Sequence, residues 1–410
     1  MEDNKQEIIQ EKFCICCGRP QSMVPLLLEG NFGNICSDCV NQAFNTVREQ
    51  NEKVSKNLMS GIPKPHEIKK FLDQYIIGQD RVKEKVAVAV YNHYKRISTP
   101  IVNDVEIEKS NICIVGPTGT GKTLIAKTVA KLLNVPFTIA DATVLTESGY
   151  VGEDVESVLV NLYQAADYDV EKTERGIVFI DEIDKIARKG DNASISRDVS
   201  GEGVQQGLLK LLEGSIVSIP PKGGRKHPDT PLVKIDTKNI LFICSGAFVG
   251  IEKKIAQRYN LNAIGFSSPE NEGKKNFDKN NPLKYVSPVD IKSYGLIPEL
   301  IGRLPVITYM ESLDGAALRR ILTEPKNALV KQYEKLFALD GIKLTINDDV
   351  YDYIVKRTED NKLGARGLRG VMETLMNKIM FNAPSEDKTE ITIDIDYAKS
   401  MLDEDYAEAA

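Results

Sequence analysis

The stretch Gly116-Pro117-Thr118-Gly119-Thr120-Gly121-Lys122-Thr123 is the reference point for reading the rest of this chain. It fits the pattern G-x-x-x-x-G-K-[ST] and follows the apolar run Asn111–Val115. It opens a segment in which Ile125, Val129, Leu132 and Leu133 recur at helical spacing. A strand, a glycine-rich turn and a helix in that order make a cradle for phosphate. Glycines let backbone N–H groups close around a polyphosphate without Cβ clashes, and the helix N-terminus adds partial positive charge. Lys122 is then placed to reach the β- and γ-phosphates, and the Thr123 hydroxyl to ligate Mg²⁺. The expected nucleotide contacts are Pro117, Thr118, Gly119, Thr120, Gly121, Lys122, Thr123 and Leu124.

A second run, Ile177-Val178-Phe179-Ile180-Asp181-Glu182-Ile183-Asp184, ends an apolar strand in two adjacent carboxylates. Metal-assisted phosphoryl transfer needs such acids at the carboxyl edge of a sheet. Asp181 is expected in the Mg²⁺ shell and Glu182 beside the attacking water, which it would orient and polarise. Small-molecule kinases have no water to activate, so the adjacent glutamate points to ATP hydrolysis.

Further strand candidates are Val135–Ala140, Asn239–Cys244 and Val306–Tyr309, each short, apolar and separated from the next by helical or loop stretches. That alternation predicts an α/β fold with a parallel five-stranded sheet covered on both faces by helices. Beyond about Glu311 the pattern becomes mostly helical: Gly315–Leu322, Pro325–Leu339, Asp348–Thr358 and Ala365–Phe381, with short strands at Lys343–Ile346 and Glu390–Ile393. This reads as a smaller α+β domain. Upstream, residues 1–48 hold five of the seven cysteines, and a polar, proline-containing linker covers 49–64. The large domain is then expected over 65–312 and the small one over 313–410.

Composition narrows the function. The 410 residues carry 53 Lys+Arg and 59 Asp+Glu, a net charge of −6, which argues against a chain coated in nucleic acid. Hydrophobic and charged contents of 42% and 27% are those of a soluble globular protein. No apolar run approaches the roughly 20 residues of a membrane helix. The polar opening MEDNKQEIIQEK lacks the apolar core of a secretory signal, so a cytoplasmic location is expected.

Cys14-x₂-Cys17 and Cys36-x₂-Cys39, with 18 residues between the pairs, have the spacing of a structural Cys₄ zinc site. Four thiolates close the tetrahedron, so the Zn²⁺ is expected to hold a fold rather than catalyse. Cys16 is surplus. Cys113 and Cys244 sit in apolar runs and read as buried, inert thiols.

Taken in order, the two phosphate-site motifs, PHEIKKFLDQYIIGQ (65–79), VYNHYKR (90–96), SGYVGEDVE (148–156), RDVSGEGVQQ (197–206), GGRKH (223–227), IGF (264–266), GLIPELIGRLP (295–305) and GARGLR (364–369) resemble the ClpX family. These are AAA+ unfoldases that serve as specificity subunits of the Clp protease, and the resemblance covers nearly the whole chain. It implies a homohexameric ring that unfolds tagged proteins, delivered in part by adaptors, and threads them into the ClpP peptidase. It also implies that Ile76 and Ile77 line the adenine pocket, that Arg303 is an arginine finger reaching a neighbouring subunit and that Arg366 is the sensor-2 arginine. On residues alone, the isoleucines read equally as core and each arginine as half of a surface ion pair. The resemblance further makes Tyr150 and Val151 a substrate-gripping pore loop, with Ser196–Gly201 a second one. Arg225, Lys226 and His227 become a basic pore entrance, and Ile264, Gly265 and Phe266 the ClpP-docking tripeptide. The zinc domain is implied to dimerise and receive substrates or adaptors.

Two residues depart from expectation. Ser245 stands where the family pattern suggests a second glycine, at a position from which a hydroxyl could contact the γ-phosphate. Gly207 interrupts a helical pattern where alanine would be better by roughly 1 kcal/mol. The rival reading, a zinc-containing nucleic-acid-dependent P-loop motor, is disfavoured because residues 1–48 have no basic stripe.

Overall fold

The computed structural model describes residues 11–46, 61–98, 107–146, 153–188, 201–221, 232–261, 277–360, 364–386 and 388–408. The chain divides into two units, Met1–Ile62 with Tyr94–Ile107, and Pro63–His93 with Glu108–Ala410.

In the first unit, Leu27–Gly30 and Gly33–Cys36 form an antiparallel hairpin, and a helix begins at residue 37. Isolated bridges tie Phe13 to Pro20 and Cys14 to Asn34.

The second unit is built on five strands: β1 (Ile112–Val115), β2 (Phe137–Asp141), β3 (Ile177–Asp181), β4 (Leu241–Gly246) and β5 (Val306–Tyr309). Their order is β5-β1-β4-β3-β2, and every pairing is parallel. All residues of β1 and β4 are buried, as a sheet covered on both faces requires. Cys113 and Cys244 face each other across β1 and β4 as register partners. Burial pushes the Cys113 thiol up to about 12 and Cys244 well above its ordinary value, so both are inert.

The helices used below are α1 (Pro65–Asp73), α2 (Asp80–Ser98), α3 (Lys122–Leu133), α4 (Glu202–Glu213), α5 (Pro298–Gly302) and α6 (Ala365–Asn382). Helix α4 answers the question raised by Gly207. A Cβ there would lie 2.9 Å from Val155 Cγ2, so the glycine permits a contact that alanine would obstruct.

Strand limits differ from those read in the sequence for identifiable reasons. Helix α3 ends with Asn134 in the left-handed conformation, and the Val135 N–H bonds back to Ala130. Val135 and Pro136 are thereby drawn out of β2. Before β4, Asp236 caps a single 3₁₀ turn over Thr237–Asn239, which delays the strand to Leu241. An antiparallel pair, Ile216–Ile219 with Val233–Asp236, has no counterpart in the sequence reading.

After β5 the chain enters a mostly helical module with its own core, in which Leu322, Phe337, Ile354, Leu368 and Met376 pack together. Lys343–Ile346 and Glu390–Ile393 pair in parallel within it. Its second helix starts at Leu329 rather than Pro325, because the Lys326 N–H donates to the Gln74 carbonyl and leaves the helical path.

Candidate nucleotide cleft and metal centre

The carboxyl ends of β1, β3 and β4 open into a cleft of about 610 Å³. From the sheet side it is lined by Thr118, Gly119, Gly121, Lys122, Thr123 and Leu124, by Asp181, Glu182 and Asp184, and by Ala247. From the helical module Arg366 and Arg369 close it, with Ile321, Pro325 and Leu329 giving an apolar wall beside Tyr75. This is where a parallel α/β sheet places a ligand, outside the carboxyl ends of its strands.

The glycine-rich turn follows from its surroundings. Gly116 has φ +153°, and a Cβ there would lie 2.8 Å from Met310 Cβ, just after β5. Gly121, at φ +99°, takes the left-handed conformation and N-caps α3. The helical module approaches the same turn. A Cβ on Gly364 would be 3.3 Å from the Thr118 carbonyl oxygen.

Lys122 is buried, and its Nζ donates to the carbonyls of Gly116 at 2.8 Å and Pro117 at 2.9 Å. Burial lowers its pKa. Asp181 and Asp184 oppose the shift, while the Arg366 charge adds to it. An ammonium in that setting gains from any anion that replaces the two neutral carbonyls.

Asp181 ends β3 between two hydroxyls. Ser245 Oγ on β4 donates to its Oδ1 at 2.6 Å, and Thr123 Oγ1 lies 3.3 Å from its Oδ2. The carboxylate and the Thr123 hydroxyl thus present oxygen donors side by side, the hard ligand set that Mg²⁺ prefers. Glu182 follows with φ +56°, an unusual conformation for a glutamate, costing on the order of 1–3 kcal/mol and tolerated mainly at functional sites. Its backbone N–H donates to Asp181 Oδ1 at 3.0 Å. Asp184, buried behind it, accepts from the N–H groups of Ala247 and Phe248, each at 3.2 Å, and fixes the turn after β4.

The structure brings Thr118, Gly119, Gly121, Lys122, Thr123, Leu124, Asp181, Glu182 and Arg366 to one cleft. Pro117 and Thr120 line an adjoining pocket, where the Thr120 hydroxyl donates to the Pro117 carbonyl at 2.8 Å. Ile76 and Ile77 are buried, and neither is among the cleft-lining residues, whereas Tyr75 is. Arg303 is not part of the cleft of its own chain. Its guanidinium donates to Glu213 Oε1 at 3.0 and 3.2 Å, with both side chains nearly half exposed. Tyr75, Asp184 and Arg369 are cleft residues that the sequence reading did not single out. Asp184 carried a signal, three positions after Asp181 in the same acidic run. Tyr150, Val151, Arg225, Lys226, His227, Ile264, Gly265 and Phe266 lie outside the described residues, as do residues 196–200 of the second loop.

In the N-terminal unit, the sulfurs of Cys14, Cys17, Cys36 and Cys39 all lie within 4.8 Å of one another, and those of Cys17 and Cys36 are 3.7 Å apart. Tetrahedral zinc with Zn–S bonds of about 2.3 Å places its sulfurs about 3.8 Å apart, so the donor set fits Zn²⁺. Burial opposes ionisation of Cys14, but backbone N–H groups from Cys17, Cys36 and Cys16 outweigh it and bring the thiol down to about 6. Arg19 supports the cluster from outside. Its Nε donates to Cys17 Sγ at 3.4 Å, while Nη2 pairs with Asp38 at 2.9 Å. Cys16 is exposed and stays out of the cluster.

The sequence matches the ClpX C4-type zinc finger over residues 12–49 and the AAA domain (Cdc48 subfamily) over residues 107–307. It also matches the C-terminal, D2-small domain of ClpB protein over residues 313–395. The ATP-dependent Clp protease ATP-binding subunit ClpX of Bacteroides thetaiotaomicron is 58% identical over 410 residues, 98% of each chain. The chain belongs to the ClpX family. ClpX of Bacteroides fragilis is 59% identical over 400 residues, 96% of each chain. ClpX of Porphyromonas gingivalis is 57% identical over 401 residues, 96% of this chain and 97% of its own. As a ClpX-family protein the chain is an AAA+ ATPase with a C4 zinc finger. It uses ATP and Zn²⁺, with the Mg²⁺ usual for such ATPases. Among the described residues no helix is long and apolar enough to cross a membrane.

Proposed function

We propose that this ClpX-family chain works in the cytoplasm as a homohexameric unfoldase. It would use ATP hydrolysis to unfold tagged or adaptor-delivered proteins and pass them through the ring to a ClpP peptidase. We assign residues 1–48 to the zinc module, 49–64 to a linker, 65–312 to the large ATPase module and 313–410 to the small one. The observation that carries the reading is the cleft itself. Lys122, Thr123, Asp181 and Glu182 converge from the sheet and Arg366 from the small module, while Arg303 stands elsewhere on the chain.

Bound ATP with Mg²⁺ supplies the phosphoryl group whose transfer to water drives the motor. Lys122 exchanges the carbonyls of Gly116 and Pro117 for phosphate oxygens. Asp181, oriented by Ser245, and Thr123 hold the metal side of the cleft. Glu182 accepts a hydrogen bond from the attacking water and aligns it in line with the leaving group. Arg366 meets charge on the γ-phosphate from the small module, so nucleotide occupancy bears on how the two modules pack. Tyr75, Ile321 and Leu329 offer the base an apolar wall, and the buried Ile76 and Ile77 follow Tyr75 directly in the chain. Arg303 completes a neighbouring subunit's site, for which a closed ring is the natural geometry.

Tyr150 and Val151 would grip the translocating chain, with Arg225, Lys226 and His227 attracting the carboxylate end of a tag. Ile264, Gly265 and Phe266 would dock in apolar pockets of the peptidase. The test is ATPase stimulation. A tagged, unfolded protein is expected to accelerate hydrolysis; acceleration by DNA or RNA instead would overturn the reading in favour of a nucleic-acid motor. Phe266→Ala is expected to keep ATPase activity and lose ClpP-dependent degradation, and undiminished degradation would remove the docking assignment.

A further inference from the structure

Gln205, in the first turn of α4, is fully buried, and both ends of its amide are engaged. Its Nε2 donates to the Ile186 carbonyl at 2.8 Å, and its Oε1 accepts from the Ile297 N–H at 2.8 Å. The two partners belong to functionally distinct segments. Ile186 closes the 3₁₀ turn whose N-cap is Glu182, and Ile297 is the N-cap of α5, whose C-cap is Arg303. One side chain therefore spans from the turn that carries Glu182 to the helix that carries Arg303.

Other contacts of α4 and its neighbours reinforce the span. The Arg188 N–H, just past the Glu182 turn, donates to the Gly295 carbonyl at 3.1 Å, and the Arg188 guanidinium pairs with Glu202 at the start of α4. At the other end of the helix, Glu213 holds the Arg303 side chain. The buried Asn111 amide donates to the carbonyls of Leu212 at 3.2 Å and Arg303 at 2.8 Å. Helix α4 thus touches the Arg303 element at both of its ends. A buried amide with two backbone partners resists separation of those partners, because parting them leaves desolvated polar groups unsatisfied.

We propose that Gln205 is a positioning residue that couples the Glu182 turn of one subunit to the Arg303 that the same subunit presents to its neighbour. The inference rests on the proposed action of Arg303 in trans. Movement of the Glu182 turn with the state of its own cleft would be carried by Gln205 to α5, and so to the next active site in the ring.

Complementation between full-length variants tests this. Gln205→Met keeps length and removes both hydrogen bonds; Gln205→Asn keeps the amide but is too short to span them. Either is expected to lower the ATPase kcat about tenfold with ATP affinity little changed. Each is then mixed with Glu182→Gln, which has a dead cleft but an intact Arg303. The mixture is expected to hydrolyse ATP about fivefold faster than the sum of its parts, since about a quarter of all sites then join a working cleft to a working finger. Arg303→Ala mixed with Glu182→Gln is the reference. Rescue there without rescue of the Gln205 variants would overturn the coupling role while leaving Arg303 in trans intact. No rescue in the reference would remove the trans reading itself. Undiminished kcat in both Gln205 variants, or failure of both to fold, would overturn the inference, the latter because Gln205 would then be a purely structural residue.

Discussion

Within residues 11–46 only Cys14 and Cys36 are buried, and Phe13, Ile15, Met23, Leu28, Phe32 and Phe44 are exposed. In β1 and β4 of the ATPase sheet every residue is buried, and the cluster around them extends to Leu159, Leu208 and Leu300. The first region cannot draw its stability from apolar burial, so four thiolates around a metal supply it. The second is held by burial, at roughly 25 cal/mol per Å² of apolar surface removed from water, and its cleft opens at the edge of that packed sheet. The contrast separates a metal that makes a fold from a metal that serves a reaction.

Removing zinc with a chelator should have the largest structural effect. Residues 11–46 are expected to lose all amide-exchange protection, while the ATPase modules keep their thermal transition. Protection that survives in the zinc-free chain would show that the hairpin has another source of stability. The reverse experiment acts on the sheet. Phe179→Ala, at a fully buried site in β3, should destabilise the large module by about 3–5 kcal/mol in denaturant unfolding, leaving the Cys₄ site able to bind metal.

Gly207→Ala makes a finer cut. Helix propensity favours the alanine by about 1 kcal/mol, but its Cβ would meet Val155 Cγ2 at 2.9 Å. A net loss of about 1–2 kcal/mol is expected, recovered in part by adding Val155→Ala. A stabilised Gly207→Ala protein would mean that α4 can shift away from Val155.

The smallest effect concerns Asp80 at the start of α2. Its contact with Lys69, 2.8 Å away, holds the carboxyl below its ordinary range. A depressed carboxyl stabilises the fold above its unfolded pKa, and that contribution fades as pH falls through the folded value. Because the pair is exposed, Asp80→Asn should cost less than about 1 kcal/mol at neutral pH. The difference from wild type should vanish in acid. A difference that persists there would assign the effect to helix capping rather than to the ion pair.

Much of this arrangement can be read in the sequence, and where it cannot, the reasons are physical. The glycine-rich turn between β1 and α3 and the Asp181-Glu182 strand end are legible because local chemistry dictates them. Ile177–Asp181 and Val306–Tyr309 appear as strands at the positions the apolar pattern gives. Boundaries shift where a cap intervenes, as at Asn134 and Asp236, or where a distant carbonyl captures an N–H, as Gln74 does with Lys326. The roles of Tyr75, Arg369 and Gln205 are long-range, since each acquires its neighbours only when separate segments meet. Ser245 lies between these cases. Its strand is legible, but its hydrogen bond to Asp181 requires the parallel order that sets β4 beside β3.

The most direct measurement is ATP-dependent loss of fluorescence from a stable fluorescent protein carrying a C-terminal degradation tag, with wild-type chain and with Glu182→Gln. Wild type should extinguish the signal only when ATP is present, and Glu182→Gln should bind ATP yet leave the signal intact, its hydrolysis reduced by roughly 100-fold or more. Unfolding by Glu182→Gln at the wild-type rate, or ATP hydrolysis by wild type with no unfolding of the tagged protein, would contradict the account.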